Sequence, residues 1–129
     1  MMRDRLRLVA AVALGGALGA LARWAMFRFS LSIAEVSWWS TIAVNAIGCL
    51  VMGLVVGLII RRGRGSATFH AFLTTGLLGG FTTFSAFAVD AIRLGESYIW
   101  QAALYVIATL VISIGLVWLG LRATVRRAQ

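Results

Sequence analysis

The chain has 129 residues, of which 61% are hydrophobic and only 12% are charged, and its mean hydropathy is +0.95. Soluble domains carry about 25% charged residues, and a short chain has too much surface to hide so many apolar side chains from water. The composition therefore excludes a soluble protein and predicts a single membrane domain over residues 1–129.

The net charge of +8 is carried by twelve arginines, without any lysine. Binding to nucleic acid needs basic residues gathered on a folded polar face. Here the arginines form short clusters between apolar runs, so we expect no nucleic-acid partner. The pattern indicates contact with lipid headgroups and a preferred orientation in a membrane.

Four apolar runs follow one another along the chain, at residues 8–27, 38–60, 69–91 and 99–121. A membrane helix needs about 20 residues to cross the hydrocarbon core, and each run is long enough. Tryptophan and tyrosine lie at the starts of the second and fourth runs, as in an aromatic belt. The sequence predicts an all-α membrane protein of four transmembrane helices, joined by polar connections at 28–37, 61–68 and 92–98.

The first run follows Arg3, Arg5 and Arg7, so it could be read as a secretory signal peptide. However, it is long for a signal peptide, and it contains the pair Gly15-Gly16 followed by Gly19. Glycines at a spacing of four allow helices to approach closely in lipid. We therefore predict a retained first helix.

The arginines give the orientation of these four spans. An even number of spans places both termini on one side, and the arginines of that side are Arg3, Arg5, Arg7, Arg61, Arg62, Arg64, Arg122, Arg126 and Arg127. The opposite side has only Arg28 and Arg93, with Arg23 just inside the first span. The positive-inside rule predicts cytoplasmic termini.

The acids Asp4, Glu35, Asp90 and Glu96 all lie at or near the ends of the runs. A proton- or cation-coupled exporter normally carries a carboxylate within the membrane, so its absence argues against a small multidrug exporter. The chain also lacks a nucleophile, base and acid constellation, and no enzyme is expected. The single Cys49 and the single His70 indicate a packing residue and a boundary residue.

The second and fourth spans contain neutral hydrogen-bonding side chains. Asn45 lies in the second span, and Tyr105, Thr109 and Ser113 recur every four residues in the fourth, which places them along one face of a helix. Such a stripe can pass a small anion from donor to donor. It can equally serve hydrogen bonding between helices, and the sequence leaves both interpretations open.

The third run contains Gly79-Gly80-Phe81-Thr82-Thr83, which forms helix poorly. Broken backbone at membrane depth is tolerated only where it is buried in protein or lines a cavity, and its free carbonyls commonly coordinate a cation such as sodium. Phe84 and Phe87 follow at a spacing of three. Their electropositive ring edges can contact an anion.

Three blocks of the sequence together resemble the Fluc-type (CrcB) family of fluoride channels. They are Gly15-Gly16 through Gly19-Ala20 to Arg23, then Thr41, Val44-Asn45 and Gly48, and finally residues 79–87 from Gly79-Gly80 to Phe87. The resemblance implies an antiparallel dimer with two fluoride pores and a structural Na⁺ at the dimer centre. The chain departs from the family pattern in having no proline before Thr41 and Ala86 where threonine is common.

The resemblance also implies roles for individual residues. The implied pore residues are Asn45, Phe84, Phe87, Tyr105, Thr109, Ser113 and Arg23. The implied sodium ligands are the backbone carbonyls of Gly79 and Thr82. Arg23 would lie near the wide mouth and attract anions, although interfacial anchoring of its long side chain explains it equally well.

The expected function is passive export of fluoride across the bacterial inner membrane, driven by the interior-negative potential. The residues themselves indicate a pore for a small anion, and fluoride is named by the resemblance. The arginine bias favours one orientation, so the partner could be the same chain or an oppositely oriented homologous subunit. The alternatives are a multidrug-type exporter of cations and a non-conducting structural subunit.

Overall fold

The computed structural model describes residues 1–33, 38–63 and 65–125. Glu35 and three arginines used for the orientation lie outside the described residues, namely Arg64, Arg126 and Arg127. Among the described residues the regular structure is entirely helical.

Four long helical stretches are apolar enough to cross a membrane. The first, second and fourth stretches are continuous helices: α1 (Met2–Ile33), α2 (Trp38–Arg62) and α6 (Ile99–Val125). The third stretch consists of α3 (Ala67–Ala71), a π-helical segment (Phe72–Leu78), α4 (Gly79–Phe81) and α5 (Phe84–Ser97). This confirms the predicted four-helix membrane fold with an interrupted third span.

The helices are longer than the apolar runs and include part of the polar segments between them. The first helix continues beyond Arg28 to Ile33, and the third span continues through Arg93 to Ser97. A single extended residue, Tyr98, joins α5 to α6. Polar residues at these positions do not end a helix because α-helices readily carry them beyond the hydrocarbon core.

Helix α1 packs against the interrupted span through glycine, as the spacing in the first run predicts. A side chain at Gly15 would lie 2.8 Å from the amide nitrogen of Leu77, and one at Gly80 would lie 2.9 Å from the Cα atom of Gly16. Such distances leave no room for a methyl group. The two backbones are therefore in direct contact, which is how helices associate closely in lipid.

Helices α2 and α6 form a second close pair, and they run in the same direction. Gly53 lies against Val117 and Gly120, and one turn later Gly57 lies against Leu121 and Thr124. A side chain at Gly120 would lie 2.6 Å from the carbonyl oxygen of Leu50. This pair remains fully helical along its contact, and the interrupted span packs against both of its helices.

Candidate functional site

The interruption of the third span lies at Thr82 and Thr83, whose backbones are extended. Asn45 of α2 satisfies both polar groups of Thr83. Its Nδ2 donates to the Thr83 carbonyl at 2.9 Å, and its Oδ1 accepts from the Thr83 amide at 2.8 Å. A buried backbone group without a partner is costly in lipid, so this side chain allows the helix to break here.

Thr83 also starts the next helix. Its hydroxyl accepts from the amide of Ala86 at 3.2 Å, which is the hydrogen bond of a helix N-cap. The N-terminus of α5 therefore lies at the interruption, where the helix dipole is positive. This end of the helix therefore favours negative charge.

Arg23 of α1 bonds the other interrupted residue. Its Nη1 donates to the Thr82 carbonyl at 3.1 Å, while the Thr82 hydroxyl donates to the Leu78 carbonyl at 2.9 Å. The side chain of Arg23 is thus half-buried and points to the break. Its predicted role at a wide mouth stays a prediction.

A cavity of about 220 Å³ opens beside the interruption. It is lined by residues of α2, the third span and α6, namely Asn45, Cys49, Thr82, Thr83, Phe84, Phe87, Thr109, Leu110 and Ser113. The structure thus brings together five of the seven residues expected in the pore. Of the other two, Tyr105 lies next to Phe87 outside this lining, and Arg23 lies behind the break.

The two phenylalanines form a ring pair with very different exposure. Their centroids are 5.4 Å apart with the rings tilted by 46°. Phe87 is 8% exposed and stacks on Tyr105 at 5.5 Å, whereas Phe84 is 77% exposed. Phe87 is therefore fixed by its own chain, and Phe84 is a large apolar side chain at the outside of the cavity.

The hydroxyl groups of Tyr105 and Thr109 on α6 differ in their hydrogen bonding. Thr109 donates to the carbonyl of Tyr105 in its own helix at 2.7 Å, so it makes no bond to a neighbouring helix. The Tyr105 hydroxyl is buried and has no hydrogen-bond partner among the described residues, although the side chains of Thr41, Asp90 and Thr109 surround it. Tyr105 nevertheless packs across helices through its ring, against Phe87 of α5 and Trp38 of α2, and both interpretations of the stripe stay open.

Sequence reasoning missed a buried polar pair close to this site. The Thr41 hydroxyl donates to Oδ2 of Asp90 at 2.6 Å, and Asp90 is only 6% exposed. Asp90 also lines a second cavity, of about 430 Å³, together with Arg93 and Ser85. The sequence assigned Asp90 to the end of a span, but α5 continues for two further turns. The sequence did contain a clue to the burial of Asp90: it lies three residues after Phe87, which places both side chains on one helix face.

The sodium ligands that the resemblance implies are the backbone carbonyls of Gly79 and Thr82, and both lie at the break. Among the described residues no three histidine, cysteine, aspartate or glutamate side chains form a metal cluster. The amide of Thr83, which would bond the Gly79 carbonyl in an unbroken helix, bonds Asn45 instead. The carbonyl oxygen of Thr82 accepts one hydrogen bond from Arg23 and keeps a second lone pair. Both oxygens therefore suit a hard cation that takes backbone carbonyls.

Comparisons with known proteins agree with one another. Residues 10–121 match the family model described as CrcB-like protein, Camphor Resistance (CrcB). A relative from Agrobacterium fabrum is 44% identical over 115 residues, covering 88% of this chain and 92% of its own length. Relatives from Rhizobium leguminosarum bv. trifolii and Methylobacillus flagellatus are each 42% identical, covering 85% and 84% of this chain and 90% and 88% of their own lengths. All three are named fluoride-specific ion channel FluC.

Proposed function

The chain belongs to the CrcB family, and from this premise we propose that it is a subunit of a fluoride-selective ion channel. It acts as a channel and not as an enzyme, as the names of its relatives support. The observation that carries the proposal within the molecule is the cavity beside the broken helix, where neutral donors and a ring pair meet.

The cavity has the chemistry that a small, strongly hydrated anion needs. Asn45 uses one of its two amide hydrogens on Thr83, so the second is free for an ion. Thr109 and Ser113 add hydroxyls, and Phe84 and Phe87 add electropositive ring edges. None of the lining residues carries a formal charge, and conduction requires sites that bind weakly and in series.

The direction of transport follows from the membrane potential. An interior-negative potential drives an anion outward, by about 2.3 kcal/mol per charge for each 100 mV. The channel therefore exports fluoride from the cytoplasm of a bacterium without a coupled energy source, and so relieves fluoride toxicity. The arginine distribution supports an inner-membrane location with both termini in the cytoplasm.

The exposed face of the broken span supports a dimer. Gly79, Phe84 and Ser85 are exposed in the single chain, although they flank backbone that lipid cannot satisfy. A second subunit in the opposite orientation covers this face and completes two pores. The partner is the same chain or an oppositely oriented homologous subunit, and the arginine bias favours the latter.

Sodium belongs to this dimer as a structural ion. The carbonyls of Gly79 and Thr82 would hold it, and it would supply a fixed positive charge at the centre of the assembly. Arg23 shares the Thr82 oxygen, so this chain already places one cation at the break. The protein's own part is to keep these carbonyls out of the helical hydrogen-bond pattern. Asn45 does this for Gly79 by taking the Thr83 amide, and the Thr83 hydroxyl does it for Thr82 by taking the Ala86 amide.

Fluoride efflux from liposomes tests the proposed pore. We expect replacement of both Phe84 and Phe87 by alanine to reduce efflux by about tenfold or more, because each ring contact is worth about 1 kcal/mol. Phe69→Ala is the matched control, since Phe69 is an exposed ring of α3 that does not line the cavity. Unchanged flux in the double variant, with dimer retained, contradicts this pore assignment.

A further inference from the structure

An apolar groove runs along the α2–α6 pair, from the cavity at the break toward the C-terminal ends of both helices. It has a volume of about 360 Å³ and is lined by Cys49, Ser113, Ile114, Val117, Trp118 and Leu121. Beyond Cys49 and Ser113, which it shares with the cavity, its lining is apolar. Ile114 and Trp118 are exposed, Trp118 by 53%, so the groove is open to the surroundings of the helix pair.

A positive charge lies at the far end of this groove. The guanidinium carbon of Arg122 lies 3.7 Å from the centroid of the Trp118 ring, in a cation–π contact. Arg122 is exposed, and no carboxylate lies within ion-pair distance of it among the described residues. The ring holds the guanidinium in place and leaves its N–H groups available to a ligand.

The surroundings of Arg122 are also positive. Because α2 and α6 run in parallel, Arg61 and Arg62 at the end of α2 lie on the same side of the membrane as Arg122. Asp4 is the only acid on that side among the described residues, and it already contacts Arg7 and the N-terminal amino group. The groove therefore combines an apolar floor with an uncompensated cation.

Its length corresponds to one leaflet of a bilayer. Nine residues separate Arg122 from Ser113, which at 1.5 Å per residue is about 14 Å. Half of a hydrocarbon core of about 30 Å is about 15 Å. The groove thus has the length of one acyl chain, with the cation where a headgroup phosphate lies.

We propose that this groove is a binding site for one anionic phospholipid. An acyl chain lies against Ile114, Val117 and Trp118, and the phosphate accepts hydrogen bonds from Arg122. A second protein subunit is less suitable as the occupant, because the exposed residues that flank the break, Gly79 and Phe84, belong to the third span and do not line this groove. The site adjoins the proposed pore, with which it shares Cys49 and Ser113, but its occupancy can be measured without fluoride.

Quenching of tryptophan fluorescence by brominated lipids tests the site. The protein is reconstituted in phosphatidylcholine vesicles that contain a minor fraction of brominated phosphatidylglycerol or, in parallel, of brominated phosphatidylcholine. The chain has five tryptophans, so the contribution of Trp118 is the difference between the native protein and Trp118→Phe. We expect Trp118 to be quenched preferentially by the anionic lipid.

Two charge variants separate a built site from general attraction to an anionic surface. Arg122→Gln should reduce the preference for phosphatidylglycerol about fivefold, the effect of one basic residue at a membrane surface. Arg61→Gln removes the same charge from the same side and should leave the Trp118 signal nearly unchanged. Equal losses in the two variants, equal quenching by both lipids, or a Trp118 shielded from all lipid would each overturn the proposal.

Discussion

The contact of α1 with the third span and the contact of α2 with α6 both depend on glycine, yet they have opposite effects on the helices. At Gly53, Gly57 and Gly120 the close approach joins two helices that remain regular. At Gly15 and Gly80 it joins a regular helix to one that is widened into a π-helical segment and then broken.

The two contacts differ in the hydrogen bonds that their polar side chains make. In the α2–α6 pair, Thr124 bonds a carbonyl of its own helix, so the contact needs no help from other elements. At the break, side chains from two other helices, Asn45 and Arg23, take over backbone groups that the third span has released. Glycine alone brings helices together, and the added polar side chains turn a close contact into a site.

The largest effect is expected at Asn45, where the two regions differ most. Asn45→Ala leaves both the amide and the carbonyl of Thr83 without partners, at about 1–3 kcal/mol for each unsatisfied group. We expect a loss of thermal stability together with loss of fluoride flux. Both are measured on the purified protein, by thermal unfolding in detergent and by efflux from liposomes.

A matched control for this variant is Cys49→Ala. Cys49 lines the same cavity one helical turn away, but no hydrogen bond of the broken backbone depends on it. Its replacement should cost far less stability than Asn45→Ala. Similar losses in the two variants would mean that the break does not depend on the Asn45 amide.

The next effect is expected in the regular pair. A methyl group at Gly120 would lie 2.6 Å from the Leu50 carbonyl, so Gly120→Ala forces α2 and α6 apart, at about 1–3 kcal/mol of stability. Gly115→Ala in the same helix meets nothing within 4 Å and should be neutral or slightly stabilising. Thermal unfolding of both variants measures this contrast, and equal stability would refute the packing described.

A smaller effect is expected at Arg23. Arg23→Gln removes the charged hydrogen bond to the Thr82 carbonyl, and because the side chain is half-buried we expect a loss of about 1 kcal/mol. If Arg23 also attracts anions, fluoride flux should fall more at low salt than at high salt, since screening weakens attraction over distance. A decrease in flux that is the same at all salt concentrations would leave Arg23 a structural residue.

The smallest change in stability is expected at Thr109. Its hydroxyl donates only to a carbonyl of its own helix, so Thr109→Val should cost less than about 1 kcal/mol. The same variant removes a donor from the cavity, and we expect a clear decrease in fluoride efflux. Flux equal to that of the native protein would favour the packing interpretation of the stripe.

The sequence alone predicted the spans, the position of the break and the glycine contact of α1. These features depend on local composition: apolar runs of sufficient length, a glycine pair with two threonines, and glycines at a spacing of four. The glycine contact of α2 with α6 was available from the same spacing at Gly53 and Gly57, although it was not predicted.

Other features depend on which helices are neighbours, and a single sequence does not contain that information. The π-helical segment arises where α1 packs against residues 72–78, and poor local propensity alone does not specify it. The burial of Asp90 depends on Thr41 from a different helix. The same holds for Asn45, whose location in a span was evident but whose bonds to Thr83 were not.

The central claim is that the cavity at the broken helix conducts fluoride, and selective efflux tests it most directly. Purified dimeric protein is placed in liposomes loaded with equal concentrations of fluoride and chloride, and both ions are followed outside. We predict rapid loss of fluoride with chloride retained. Fluoride release no faster than from protein-free liposomes, or equal release of both anions, would contradict the account.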